Sequence, residues 1–160
     1  MARDAVRRLY DVDDNSVVYK KPKQRGKYDH GTVTFRAKKG KLINLDKLHE
    51  SVWGTRLSGG TRSGLVRLDV RVVGKIQFNE NKLSIDVRGA DARFLLIDES
   101  KSDAGQTAFQ KLRDAVRRGD KIASMTGRVD GWAGRWPKVL KSKPSKPLRL
   151  VVTGFDTDKN

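Results

Sequence analysis

Residues 66–72 read Val-Arg-Leu-Asp-Val-Arg-Val, a strict alternation of aliphatic and charged side chains. Because successive side chains of a β-strand point to opposite faces, this pattern predicts a strand with one buried and one solvated face. Gly74 falls late in the same strand, where a bulge or a tight coil is expected. The segment therefore predicts a half-buried sheet, and its strand is the first of the second part of the chain.

The sequence beyond this strand predicts four more strands and one helix. Residues 79–81, Asn-Glu-Asn, indicate a turn. Residues 106–118 predict the helix, since Phe109, Leu112 and Val116 recur at helical spacing and Gly119 ends the run. The strands are predicted at Leu83 to Val87, Phe94 to Ile97, Lys121 to Val129 and Leu148 to Phe155.

This order of elements resembles the OB fold, a five-stranded Greek-key barrel with its helix between strands three and four. Three short patterns are similar to that family: Val-x-Gly-x-Ile at 72–76, Gly-Asp-Lys-Ile at 119–122 and Thr-Gly-Arg-Val at 126–129. The resemblance covers residues 65–156, and residues 157–160 are a polar tail. It implies an OB-like domain of a kind that commonly binds oligonucleotides or oligosaccharides.

The first 64 residues predict a separate, small α/β unit. Residues 58–64, Ser-Gly-Gly-Thr-Arg-Ser-Gly, indicate a linker at its end. Asn44 is the predicted N-cap of a helix that Gly54 ends. The predicted elements are a helix at residues 3–9, strands at Asn15 to Tyr19 and Thr32 to Ala37, and the helix from Leu45 to Trp53.

Residues 31–40 and 45–52 resemble the second half of heavy-metal-associated domains, which are ferredoxin-like. Those domains begin with a strand and a Cys-x-x-Cys metal loop, whereas this chain starts at the helix and has no cysteine. The resemblance implies a scaffold without metal carriage. The predicted fold class is therefore α+β: an incomplete ferredoxin-like unit at 1–64 that shares the strand at 65, then an OB-like five-stranded barrel at 65–156.

The composition is strongly basic, with 35 Lys and Arg against 19 Asp and Glu and a formal net charge of +16. Such a charge attracts nucleic acid, anionic membrane or an acidic protein. No stretch approaches the roughly 20 apolar residues that a membrane-spanning helix needs. Residues 1–10 are too short and too charged for a signal peptide. We expect a soluble cytoplasmic protein without a membrane partner.

The loop between the fourth and fifth predicted strands is the strongest functional signal. It holds two of the three tryptophans and five cations, with no acid. Indole rings stack on bases, and cations displace counterions from phosphates. In the alternative interpretation one indole plugs the barrel end and the lysines are solvated. The predicted nucleic-acid contacts of this loop are Trp132, Arg135, Trp136, Lys138, Lys141, Lys143 and Lys146.

A second basic cluster has nine cations against one acid between residues 20 and 41. A flexible arm that follows phosphates has this composition, and so does a solvated charged hairpin. The predicted contacts of this cluster are Lys20, Lys21, Lys23, Arg25 and Lys27.

The outward side of the first predicted strands of the barrel is a third candidate surface. It carries no aromatic residue, which favours contacts to a nucleic-acid backbone over base stacking. The alternative is a solvated face with cross-strand ion pairs. Its charged residues are Arg67, Arg71, Arg88 and Arg93 with Asp69 and Asp86, and Arg88 is included among the predicted contacts.

The chain is poor in groups for catalysis. His30 and His49 are its only side chains with an unperturbed pKa near neutrality, and neither has an evident acid or nucleophile partner. His49 is expected on a helix surface. The absence of cysteine excludes thiolate catalysis and Cys-based metal sites. We therefore expect no enzyme, no cofactor and no metal site.

These observations predict non-catalytic binding of single-stranded DNA or structured RNA, largely through the nucleic-acid backbone. A protein-interaction or assembly module is the alternative. In that case the incomplete ferredoxin-like unit takes a strand from a protein partner or from a second copy of the chain. A degenerate metal-handling protein is the third hypothesis.

Overall fold

The computed structural model describes residues 2–21, 31–56, 60, 63–99, 106–131 and 147–158. The chain divides into two compact units, Met1–Leu65 and Val66–Asn160. Both units combine helices and strands, so the α+β class expected from the sequence is confirmed.

The first unit contains two helices and a small sheet. Strands β1 and β2 pair antiparallel, with Tyr19 opposite Val33, and an isolated bridge joins Val12 to Ala37. Residues 63–68 are not part of a strand, so the described sheet of this unit has two strands. Its elements are α1 (Ala2–Arg7), a 3-10 turn (Asp14–Ser16), β1 (Val18–Lys20), β2 (Thr32–Thr34) and α2 (Leu45–Trp53).

Helix α2 has the bounds that its capping signals predict. The Asn44 side chain accepts a hydrogen bond from the Lys47 amide at 2.9 Å, and Gly54 caps the C-terminus. The helix buries Leu45, Leu48 and Val52. It also buries His49, so the expected surface position of this residue was wrong. His49 lies four residues after Leu45 and three before Val52, which places it on the same apolar face.

The strand predicted at Asn15 to Tyr19 begins later than expected, because a turn replaces its N-terminal part. Residues 14–16 form the 3-10 turn instead. The Asp13 carboxylate accepts a hydrogen bond from the Asn15 amide at 3.2 Å, and the Ser16 hydroxyl donates to the Asp13 carbonyl at 2.6 Å. Short polar side chains favour such local hydrogen bonds over a strand ladder.

The second unit is one six-stranded sheet with one helix. Its strand order is β3-β7-β8-β6-β5-β4, and only the β6–β8 pair is parallel among these strands. The elements are β3 (Asp69–Val72), β4 (Gly74–Asn79), β5 (Lys82–Val87), β6 (Arg93–Ile97), α3 (Ala108–Arg118), β7 (Ile122–Val129) and β8 (Arg149–Thr157).

This sheet is open, with β3 and β4 at its two edges. The five-stranded closed barrel expected from the sequence therefore differs from the pairing observed. The long strand predicted from residue 66 through Gly74 is interrupted at Val73, and its two halves lie at opposite edges of the sheet.

Gly74 explains why the interruption occurs at this position. A Cβ atom there would overlap the carbonyl oxygen of Asp86 on β5. Glycine alone therefore allows the two strands to approach this closely. The Arg88 amide donates to the Val73 carbonyl at 2.8 Å and fixes the residue between the two half-strands.

The core of the second unit lies on the inner face of the sheet, against α3. Thr107 and Gln110 form a capping box at the start of this helix, and Gly119 ends it with a left-handed φ of 86°. Leu112 and Ala115 are its fully buried residues. The sheet contributes Leu83, Ile85, Phe94, Leu96, Met125, Val129, Leu150 and Val152.

The close packing of Gly127 gives the first testable expectation. A Cβ atom there would lie 2.5 Å from Leu150 Cγ and 2.6 Å from the Val151 carbonyl oxygen. Gly127→Ala should therefore lower the free energy of unfolding by about 1–3 kcal/mol, through overpacking of the β7–β8 pair. Urea denaturation measures the change. Lys111→Ala, at an exposed position of α3, is the control and should stay within about 0.5 kcal/mol of wild type. Equal midpoints for Gly127→Ala and wild type would contradict the packing described.

Candidate nucleic-acid interface

Every second side chain of β4, β5 and β6 points away from the core of the second unit. This follows from the burial of Leu83, Ile85, Phe94 and Leu96 on the opposite face. The ladder registers set the outward residues in three rows: Lys75–Asp86–Arg93, Gln77–Ser84–Leu95 and Asn79–Lys82.

A cleft of about 430 Å³ lies on this surface, next to the turn between β4 and β5. Glu80 and Asn81 form that turn with positive φ angles of 47° and 64°, as a two-residue hairpin requires. We call this surface the outer-face cleft. Its lining residues are Gln77, Asn79, Glu80, Lys82, Ser84, Arg93 and Leu95.

The lining of the outer-face cleft is dominated by hydrogen-bonding groups. The amides of Gln77 and Asn79 and the hydroxyl of Ser84, a residue that is 8% exposed, both donate and accept. The Lys82 ammonium only donates, and the Glu80 carboxylate only accepts. Leu95 adds one apolar contact. Such a surface can satisfy sugar hydroxyls, base edges and phosphate oxygens. It offers no aromatic ring for stacking among its lining residues.

The charge of Arg93 is compensated by Asp86. The Asp86 carboxylate accepts hydrogen bonds from Arg93 Nε at 2.5 Å, from Arg93 Nη2 at 3.2 Å and from Gln77 Nε2 at 3.3 Å. The hydrogen bond from Arg93 is the main cause that lowers the pKa of Asp86. The same hydrogen bond raises the pKa of Arg93. Because the pair is solvent-exposed, it orients the two side chains more than it stabilises the fold.

Two more arginines of the outward set, Arg67 and Arg71, are also paired with acids. Arg67 contacts Asp69 at 2.7 Å, and Arg71 contacts Asp156 at 2.8 Å. The Ser124 hydroxyl joins the second pair, since it donates to Asp156 at 2.7 Å and accepts from Arg71 Nε at 2.9 Å. Arg67, Arg71 and Arg93 are thus ion-paired, whereas the predicted contact Arg88 is in no ion pair within the described residues.

Three cations near this hairpin are in no such pair. Lys75, Lys82 and Arg88 are exposed, and within the described ranges no ion pair joins any of them to an acid. Lys82 and Arg88 therefore supply the unpaired positive charge of the β4–β5 hairpin. Lys75 lies opposite Asp86, and its charge adds to the larger effect of Arg93 in lowering the pKa of that carboxyl.

Most of the sequence-predicted contacts lie outside the described residues. This applies to Trp132, Arg135, Trp136, Lys138, Lys141, Lys143 and Lys146, and to Lys23, Arg25 and Lys27. Lys20 and Lys21 are exposed at the end of β1 in the first unit, and Arg88 is exposed after β5 in the second. Of the predicted nucleic-acid contacts, the structure thus describes Lys20, Lys21 and Arg88, which belong to two different units.

The two ends of the Trp/Lys segment, residues 132–146, are well defined. The Asp130 amide donates to the Arg149 carbonyl at 2.9 Å, and the two side chains form an ion pair at 2.6 Å. The Leu95 amide donates to the Leu148 carbonyl at 2.9 Å. Since Leu95 lines the outer-face cleft, the segment rejoins the sheet at a strand directly beside that cleft.

Sequence reasoning missed the polar residues of the outer-face cleft. Gln77, Asn79 and Ser84 carry no charge and belong to no motif. The turn at 79–81 was recognised, and the alternation of Leu83, Ile85 and Val87 fixes the outward register of β5. Extending that register back across the turn to Gln77 would have identified the same face.

Neither a metal site nor a membrane-spanning helix is found among the described residues. They contain no group of three or more His, Asp or Glu side chains able to hold a metal ion. None of their helices combines the length and apolarity needed to cross a bilayer. Comparison of the chain with protein-family models, curated proteins and solved structures found no match. The functional argument therefore rests on the chain's own residues.

The Asp86–Arg93 pair gives the second testable expectation. Its stabilising effect should be present above the ordinary carboxyl pKa of 3.8 and should be lost as the pH falls through the lower, folded-state value. Arg93→Met removes the main donor, so the pKa of Asp86 should rise towards 3.8. A carboxyl-detected NMR titration measures this change. Arg67→Met, which breaks the separate pair with Asp69, should leave the Asp86 titration unchanged. An unaltered Asp86 pKa in Arg93→Met would show that the ion pair is absent in solution.

Proposed function

We propose that this protein binds single-stranded nucleic acid without catalysing a reaction on it. The observation that carries the proposal is the outer-face cleft, a hydrogen-bonding surface in which the exposed Lys82 lies beside Glu80 and forms no ion pair within the described residues. The net charge of +16 supplies long-range attraction to such a polymer. Structured RNA with exposed single-stranded loops belongs to the same ligand class.

The strand order supports an OB-like assignment for Val66–Asn160. Only Val73 separates β3 from β4, so the two can be regarded as halves of one bent strand. The order β3-β7-β8-β6-β5-β4 then reads 1-4-5-3-2-1 in five strands, with the single helix between the third and the fourth. In this assignment the bent first strand forms both edges of the sheet. Such a sheet corresponds to a barrel that is left partly open at the bend.

The position of the cleft agrees with that assignment. OB-fold binders hold their ligand on the face of strands two and three, between the 1–2 and 4–5 loops. The outer-face cleft lies on β5 and β6, beside the turn of Glu80 and Asn81. The Trp/Lys segment begins after β7 and ends before β8, in the place of the 4–5 loop. The cleft and this segment would thus form one binding surface.

Binding of this kind should depend on phosphate charge more than on base identity. The described cleft offers no ring for stacking, and several arginines are occupied by acids. The remaining cations contact phosphates, which carry no sequence information. The tryptophans of residues 132–146 would add stacking of roughly 1–3 kcal/mol per base.

An oligothymidylate of about fifteen nucleotides, labelled with fluorescein, tests this proposal by fluorescence anisotropy. Lys82→Glu should weaken binding by about tenfold or more, because it places an anion in the cleft. The matched control is Lys111→Glu, which makes the same charge change at an exposed position of α3 and should alter the affinity by less than about threefold. The logarithm of the affinity should fall linearly with the logarithm of salt concentration. Equal losses in the two variants would show that net charge, and not the cleft, determines binding.

The Trp/Lys segment requires its own variant in the same assay. Trp136→Ala should weaken binding by about 1–3 kcal/mol if the indole stacks on a base. Binding that survives both this substitution and half-molar salt would refute the role assigned to the segment.

A second candidate function is strand addition to the first unit. Strands β1 and β2 have three residues each, and Val18 and Tyr19 on β1 are 52% and 42% exposed. Two-stranded sheets are marginal by themselves, and an exposed edge is a template for another strand. This candidate expects a nuclease-treated sample to be a dimer in light scattering, and Val18→Lys to shift it to a monomer. A wild-type monomer at high micromolar concentration would exclude pairing with a second copy.

A further inference from the structure

A second cleft lies where the sheet of the second unit stays open. Within the described residues, β4 forms a ladder only with β5, and residues 122–124 of β7 pair only with β8. Strands β4 and β7 nevertheless contact each other. A cleft of about 610 Å³, the seam cleft, follows this seam between β4, the start of β7 and α3.

The floor of the seam cleft is aliphatic. Ile76, Val87, Val116 and Ile122 line it, and each is half-buried. Gly74 adds no side chain, so the backbone of β4 is accessible at this end. The cleft thus combines an apolar floor with strand edges whose amide and carbonyl groups have no ladder partner on that side.

The rim of the seam cleft is effectively cationic. Lys75, Arg88 and Lys121 are exposed on it. Two of its three carboxylates are already paired with guanidinium groups that do not line the cleft, since Asp86 binds Arg93 and Asp120 binds Arg118 at 2.7 Å. Three cations therefore face one remaining acid, Asp158.

We propose that the seam cleft binds an extended peptide segment of a partner protein, with aliphatic side chains alternating with acidic ones. The alternation matches the site: one face of the added strand meets the aliphatic floor, and the other presents carboxylates to the lysines and Arg88. Backbone hydrogen bonds to the free edge of β4 supply affinity, as in other cases of strand addition. Because β4 and β7 contact each other and an inserted strand would need roughly 10 Å between them, the segment pairs with this one edge. Strand β4 has six residues, so it spans roughly 20 Å and accepts a segment of about six residues.

Nucleic acid is the competing ligand, and the lining disfavours it. No aromatic side chain lines the cleft, so bases would lie against aliphatic groups without a stacking partner. A strand edge also alternates donors with acceptors, and a peptide complements that pattern whereas a row of phosphates does not. The seam cleft and the outer-face cleft share no lining residue. The inference therefore does not require the outer-face cleft to bind nucleic acid, although Arg88 is also among the predicted nucleic-acid contacts.

The experiment uses the full chain and a synthetic peptide of about eight residues that alternates Val and Glu, labelled with fluorescein. Fluorescence anisotropy measures its affinity at about 0.1 M salt. The first control peptide alternates Val and Lys. The second has the Val/Glu sequence with every other amide N-methylated, which removes the backbone donors of one edge. We expect saturable binding of the Val/Glu peptide, at least tenfold weaker binding of the methylated peptide, and none of the Val/Lys peptide.

Protein variants locate the site. Lys121→Glu should weaken the Val/Glu peptide at least tenfold, whereas Lys111→Glu and Lys82→Glu should change its affinity less than about threefold. Amide NMR shifts caused by the peptide should centre on residues 74–76 and 121–123, and this mapping does not depend on any variant folding. Three results would overturn the proposal: no saturable binding, equal affinity of the methylated peptide, or displacement of the peptide by oligothymidylate.

Discussion

The close approach of β4 to β5 at Gly74 is the constraint on which the second unit depends. The Asp86 carbonyl occupies the space that any side chain at position 74 would need, so the two strands can pair there only around glycine. Beside that glycine the predicted long strand is interrupted at Val73, and its halves belong to opposite edges of one sheet. The same interruption leaves β4 and the start of β7 in contact but unpaired. The position that cannot carry a side chain thus lies where the chain passes from one edge of the sheet to the other.

The electrostatic potential of this unit depends on which of its cations are paired with acids. The net charge of the chain does not show this. Arg67, Arg71 and Arg93 are held by carboxylates on their own or neighbouring strands. These pairs are exposed and contribute little stability, but they orient the guanidinium groups. Because each of these guanidinium groups faces a carboxylate, it attracts other anions less. Lys82 and Arg88 form no ion pair within the described residues. The positive potential of the hairpin therefore comes from a few positions, although the whole sequence is basic.

The sequence predicted most secondary structure because the deciding signals are local. Asn44 and Gly54 bound α2, Gly119 ends α3, and the alternation after residue 82 defines β5. What the sequence could not predict is set by tertiary contacts. His49 was expected on the exposed surface of α2 because its side chain is polar, but it lies on the apolar face of the helix and is buried. Gly74 indicated an irregularity, but its consequence depends on the Asp86 carbonyl. The outer-face residues became visible only through strand registers, since neutral amides carry no motif.

The ion pair of Asp130 and Arg149, with the backbone hydrogen bond between the same residues, ties together the two ends of residues 132–146. The sheet on either side is therefore insensitive to what the intervening chain contains. Doubling the length of a flexible loop costs only about 0.6 kcal/mol in closure entropy. Changes in the length or composition of the chain between these two residues should therefore cost the fold little, as is general for connections between strands.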